Sequence, residues 1–98
     1  MNHEGRKMYY ILLYDVVENF INRRAPHREE HLKLVNEAHR RGELLMAGAF
    51  AEPVDGAALV FRTNDPAVPR RFAQEDPYVK NGLVTDWRVR AWQVVVGG

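Results

Sequence analysis

Apolar residues along the chain gather into four short runs, and two stretches of helical periodicity lie between them. The first run, Met8-Tyr9-Tyr10-Ile11-Leu12-Leu13-Tyr14-Asp15-Val16-Val17, is apolar at nearly every position and predicts a strand buried on both faces. Glu18 to Ala25 is a polar connection carrying Arg23 and Arg24, a candidate site loop or lid. A helix is expected from Pro26, with Glu29 and Glu30 in its first turn, Arg40 and Arg41 in its last, and Gly42 as its stop. At about 100° per residue, Glu29, Glu30, Lys33, Asn36, Glu37, Arg40 and Arg41 share one arc. Leu32, Leu34, Val35 and Ala38 fall on the other, and His27, His31 and His39 fall with them.

Leu44 to Phe50 reads as a second buried strand in which Gly48 marks a bulge or a close approach. Glu52-Pro53-Val54-Asp55-Gly56 connects it to a third strand, Ala57 to Arg62. Asp65-Pro66 opens a second helix running to Phe72-Ala73. Pro77 pushes Asp76 out of the α region, so that helix must end by about Glu75, and Asn81-Gly82 supplies a turn with φ > 0. Trp87 to Val96 is the fourth strand, with Arg88 and Arg90 on one side and Val89 and Ala91 on the other. The order βαββαβ implies a ferredoxin-like α+β sandwich with both helices on one sheet face. Two-sided apolar strands then leave the other face uncovered, and a second copy of the chain is the expected cover.

Ninety-eight residues make a single domain, with the first seven expected to be disordered. A charged fraction of 28% and a net charge of +1 call for neither a nucleic acid nor a membrane surface as partner. The absence of cysteine excludes thiol catalysis, disulfides and Cys-ligated metals. No apolar stretch reaches spanning length and the first residues lack a signal-like core, so a cytoplasmic location is expected. No Gly-rich phosphate fingerprint supports a nucleotide cofactor, and Ala57 to Arg62 lacks the aromatic pattern of an RNA-recognition strand.

Three pieces together carry a resemblance: Arg24-Ala25-Pro26-His27 leading into His31-Leu32, Gly42-Glu43-Leu44-Leu45-Met46-Ala47-Gly48, and Asp76-Pro77-Tyr78-Val79 with Gly82. With the first and last strands, the chain from Met8 to Val95 resembles the YCII-related domain proteins. Ala49 departs from the pattern, standing where members often carry proline. The resemblance implies a dimeric α+β barrel and a His–Asp active-site pair falling on His27 and Asp76. It implies no particular reaction.

A histidine oriented by a carboxylate serves as general acid or base near neutrality, so His27 with Asp76 is the expected catalytic pair. Taken alone, Asp76 has the equally simple reading of a capping or turn residue. Arg24, His31 and Tyr78 are the candidate substrate-binding residues. Arg23 and Arg24 precede a helix N-terminus where an anion would sit, or else form a solvated loop. Tyr78 either donates its hydroxyl into the site or packs beside Pro77. His31 reads as a pocket-lining or hydrogen-bonded core residue, and His39 as a helix-end or surface residue. His27 and His31 lie one turn apart, but Arg28-Glu29-Glu30 breaks the His-Glu-x-x-His order, so no metal is assigned. Tyr14, Met46, Phe61 and Trp92 read as core and dimer interface.

The expected function is a cofactor-free enzyme performing lyase, isomerase or elimination chemistry on a small hydroxylated ring or enol. A non-catalytic ligand-binding or accessory homodimer is the alternative, and a structural or regulatory partner with a vestigial pocket is a third reading. The enzyme reading expects Asp76 within reach of His27, directly or through one water. It also expects that neither side chain is needed to hold the fold.

Overall fold

The computed structural model describes residues 7–98, so the expected disorder of the first seven lies, except for Lys7, outside the described residues. Four strands, β1 (Met8–Val16), β2 (Leu44–Ala49), β3 (Gly56–Thr63) and β4 (Val84–Trp92), form one antiparallel sheet in the order β2-β3-β1-β4. Between them lie helices α1 (Phe20–Arg23), α2 (Arg28–Arg40), α3 (Ala67–Glu75) and α4 (Pro77–Lys80), with a 3-10 turn at Ala25–His27. This is the expected ferredoxin-like α+β arrangement, with two one-turn helices added.

Alternation along the central strands sorts the side chains. Leu12 and Tyr14 of β1 and Ala57, Leu59 and Phe61 of β3 are buried in one core. Phe20, Ala38, Phe72, Ala73 and Tyr78 join that core from the helices, and Leu34 and Val35 pack against it. Phe61 and Phe72 meet edge to face, their centroids 5.5 Å apart, which locks α3 onto the sheet. His39, in the last turn of α2, hydrogen-bonds through Nδ1 to the Leu44 carbonyl at 2.8 Å and ties the helix end to β2.

The other sheet face is not buried within the chain, as two helices on one side of the sheet leave it. Ile11 and Leu13 are only half-buried, while Met46 and Trp92 are exposed. Cross-strand register places Arg88 beside Leu13 and Arg90 beside Ile11, on the face opposite Val89 and Ala91, as the alternation predicted. β2 is an edge strand, so apart from Leu44 its residues range from half-buried to exposed. Its register shift falls between Leu44 and Met46 rather than at Gly48, and a Cβ on Gly48 would meet nothing within 4 Å. β4 begins at Val84, earlier than expected, and ends at Trp92.

The connection after β1 also differs from the expected open loop. Phe20 is buried in the core, and anchoring it folds Phe20–Arg23 into a helical turn. Pro26 then lies in the 3-10 turn, and α2 begins after His27, whose φ of −111° marks the change of direction. At the other end of the fold the proline argument holds. Asp76 takes the extended conformation at φ −67° and ψ 123°, and Gly82 sits at φ +73°.

Candidate active site

Asp76 stands between α3 and α4 with no exposed surface. Its carboxylate caps α4 by accepting the Tyr78 backbone N–H on Oδ1 at 2.9 Å. On the same oxygen, at 2.9 Å, lies His31 Nδ1. Oδ2 accepts the Tyr14 hydroxyl at 2.8 Å. A carboxylate buried this completely requires donors on both oxygens, and three elements deliver them: α2, α4 and β1. The capping reading of Asp76 holds, and the same carboxylate also pairs with His31 and Tyr14.

The expected hydrogen bond between His27 and Asp76 is not among those of the described residues; the histidine bonded to Asp76 is His31. The reason is the helix start. Because α2 begins after His27, that side chain sits half-buried at the mouth of the helix. His31, one turn further along the same arc, is the residue presented to Asp76. An ionised carboxylate can only accept, so this pairing requires the proton on His31 Nδ1 and points Nε2 away from Asp76.

The His31 ring lies flat on Tyr78, with centroids 3.8 Å apart and planes 10° from parallel. Phe20 supports Tyr78 edge-on at 5.4 Å, so the buried end of α1 holds the stack from behind. The His31 side chain is 14% exposed, and it borders a cleft of about 130 Å³. An apolar cavity of roughly 150 Å³ is enough for a benzene ring. Here the apolar walls come from Phe20, Leu32, Val35, Ala47, Ala57 and Leu59, and the polar groups are Tyr14, Arg24, Arg28, His31 and Tyr78. Three expected binding residues, Arg24, His31 and Tyr78, thus share one cleft; His27 does not line it. Leu32, expected to pack inward, is instead 38% exposed at its border. Gly48 does border the cleft.

Two residues escaped the sequence reading. Tyr14 was taken as core, and it is buried, but its hydroxyl also holds the carboxylate. Burial first, then the charge of Asp76, pushes that hydroxyl's pKa far up, which keeps it a donor. Arg28 falls about 100° from His27, between Val35 and His39 on the inward arc, and borders the cleft with Leu32 and Val35; the turn count alone could have found it. The Tyr78 hydroxyl is also raised by burial, while the Arg28 and Arg24 guanidiniums pull it the other way. No group of three or more His, Cys, Asp or Glu side chains is arranged for a metal ion among the described residues. Nor is any described helix long and apolar enough to cross a membrane.

Comparison with known proteins extends this picture. An uncharacterised protein of Haemophilus influenzae is 25% identical over 97 residues, covering 90% of this chain and 99% of its own length. Among solved structures, a similar one is the 5-chloro-2-hydroxyhydroquinone dehydrochlorinase (TftG) from Burkholderia phenoliruptrix AC1100, in complex with 2,5-dihydroxybenzoquinone. Its TM-score is 0.72 at 16% identity, covering 88% of this chain and 94% of that one, a likeness of fold. The sequence model of the family described as the YCII-related domain matches residues 8–93, nearly the whole described chain, and the protein belongs to that family.

Proposed function

We propose that the cleft beside His31 is the active site of a cofactor-independent enzyme acting on a small hydroxylated ring or enol. The carrying observation is the 2.9 Å pairing of His31 Nδ1 with fully buried Asp76, in a ring that borders an apolar cleft. That pairing fixes the tautomer and orientation of the imidazole and stabilises the imidazolium formed on proton uptake. Nε2 of His31 accepts the proton of a substrate hydroxyl. The electron pair left on oxygen moves into the unsaturated carbon frame, where it either expels a leaving group or is captured at carbon by the proton returned from Nε2. Elimination and isomerisation are thus two outcomes of one proton transfer. The dehydrochlorinase of like fold makes elimination from a hydroxylated ring the first chemistry to test.

The catalytic histidine in this reading is His31, with Asp76 as its partner and Arg24 and Tyr78 as substrate contacts. The reading includes a homodimer closed over the open sheet face, because Met46 and Trp92 are exposed there. The test is turnover of chlorinated and unchlorinated hydroxyhydroquinones, followed by chloride release and ultraviolet absorbance against pH. Turnover lost in His31→Asn and kept in His27→Gln supports the assignment. Binding with no turnover by the wild type would favour the ligand-holding alternative.

A further inference from the structure

Tyr78 poses a problem that the proton-transfer account leaves unsolved. The residue is 3% exposed, and its hydroxyl oxygen is sealed from water with no acceptor for its proton among the described residues, since the neighbouring Arg28 guanidinium can only donate. A buried hydroxyl lacking an acceptor is costly, and few occur in folded proteins. This one belongs to a ring that borders the cleft and stacks on His31. The same cleft is bordered by Arg24 and Arg28, on the 3-10 turn's N-terminal flank and at the start of α2. The Arg24 guanidinium rests 5.3 Å from the centroid of the Phe20 ring, and Arg28 is exposed. Among the described residues no carboxylate borders the cleft to neutralise the two cations, since Asp76 lies behind His31 rather than in the lining.

We infer that Tyr78, Arg28 and Arg24 form an oxyanion subsite that selects substrates carrying a negatively charged oxygen on a small planar ring. This rests on the proposed reading of the cleft and adds the charge state of the molecule it takes. The ligand oxyanion is the acceptor that Tyr78 lacks, and the two guanidiniums provide its countercharge. Both arginines sit on long side chains at the cleft border, so they can turn toward the anion without disturbing the core. Burial keeps the Tyr78 hydroxyl protonated, the state in which it donates. The subsite and His31 then divide the labour: one holds the charged oxygen while the other moves a proton.

Calorimetric titration of the full chain with two probes tests this. The probes are 2,5-dihydroxybenzoquinone in its ionised form and 2,5-dimethoxy-1,4-benzoquinone, the same ring with both acidic hydroxyls blocked. The wild type should prefer the anion by about tenfold or more, the scale of one charge-assisted hydrogen bond. Tyr78→Phe should lose most of that preference while its free form melts at a higher temperature, because a hydroxyl without an acceptor has been removed. Arg28→Gln should weaken the anion selectively, with the melting temperature unchanged. Equal affinity of the wild type for both probes, or binding of neither, overturns the subsite. So does a Tyr78→Phe variant that keeps the preference, or one that loses both probes equally, which marks a packing role. His31→Asn should retain the preference, so a failed proton-transfer reading and a failed subsite give different results.

Discussion

Tyr14, near the end of β1, and His31, in the first turn of α2, flank the same connection and meet on one carboxylate, the hydroxyl on Asp76 Oδ2 at 2.8 Å and the imidazole on Oδ1 at 2.9 Å. Each oxygen of a group with no exposed surface is thereby occupied, and the orientation of His31 depends on packing that also holds the sheet to its helices.

Asp76 is therefore built into the fold, against the expectation that the fold does not need it. Asp76→Ala removes the α4 cap and strands the donors of Tyr14 and His31 in the core. At roughly 1–3 kcal/mol for each unsatisfied buried group, a loss of several kcal/mol is expected. Asp76→Asn should cost less, because the amide oxygen can still accept while its NH2 confronts a donor. Urea denaturation of both variants checks the ranking.

The alkaline limb of stability should carry the signature of Tyr14. Its folded pKa is raised above the ordinary 10.0, chiefly by burial and then by the Asp76 charge. The unfolded chain then loses the phenolic proton first, so stability is intact below about pH 10 and falls as pH climbs toward the folded value. The slope is at most about 1.4 kcal/mol per pH unit for each such tyrosine. Tyr78 shifts in the same direction and adds to it. Tyr14→Phe should flatten the limb when denaturation midpoints are compared at pH 9, about 10 and about 11.

Much of this arrangement was legible in the residues. The strand order, the one-sided helices, the left-handed Gly82 and the fixed corner at Asp76 all follow from local rules that tertiary packing did not override. The identity of the paired histidine was not legible. His27 and His31 share an arc, and which one reaches the carboxylate turns on where the helix begins. Ahead of that start come the α1 turn and a 3-10 turn, with Phe20 buried in the core, a long-range contact with no local signature. Tyr14 was hidden for a related reason: within a run of apolar residues its ring reads as packing, and only the opposing Asp76 gives the hydroxyl a role.

The two histidines should separate cleanly by substitution. His31→Asn should reduce turnover of an accepted substrate by about a hundredfold or more, the usual worth of a positioned general base. His27→Gln should change stability by less than about 0.5 kcal/mol and leave turnover near wild type, because its side chain makes no hydrogen bond to Asp76 and does not line the cleft. Steady-state rates of both variants beside circular dichroism decide this.

The open sheet face predicts association. Ile11 and Val60 face each other across β1 and β3 on that side, with Met46 opposite Val60 on β2. Light scattering should give a dimer for the wild type, and Ile11→Asp with Val60→Asp should yield a folded monomer. A wild type that stays monomeric at high concentration would remove the second copy from the account.

The pairing of His31 with Asp76 can be read without any substrate, from a long-range proton–nitrogen correlation spectrum of nitrogen-15-labelled protein above neutral pH. The account predicts that the His31 ring is the Nδ1–H tautomer, with an unprotonated Nε2, and that Asp76→Asn abolishes this preference while leaving the His27 signals in place. A His31 ring found as the Nε2–H tautomer, or a His27 ring that alone responds to Asp76→Asn, would contradict it.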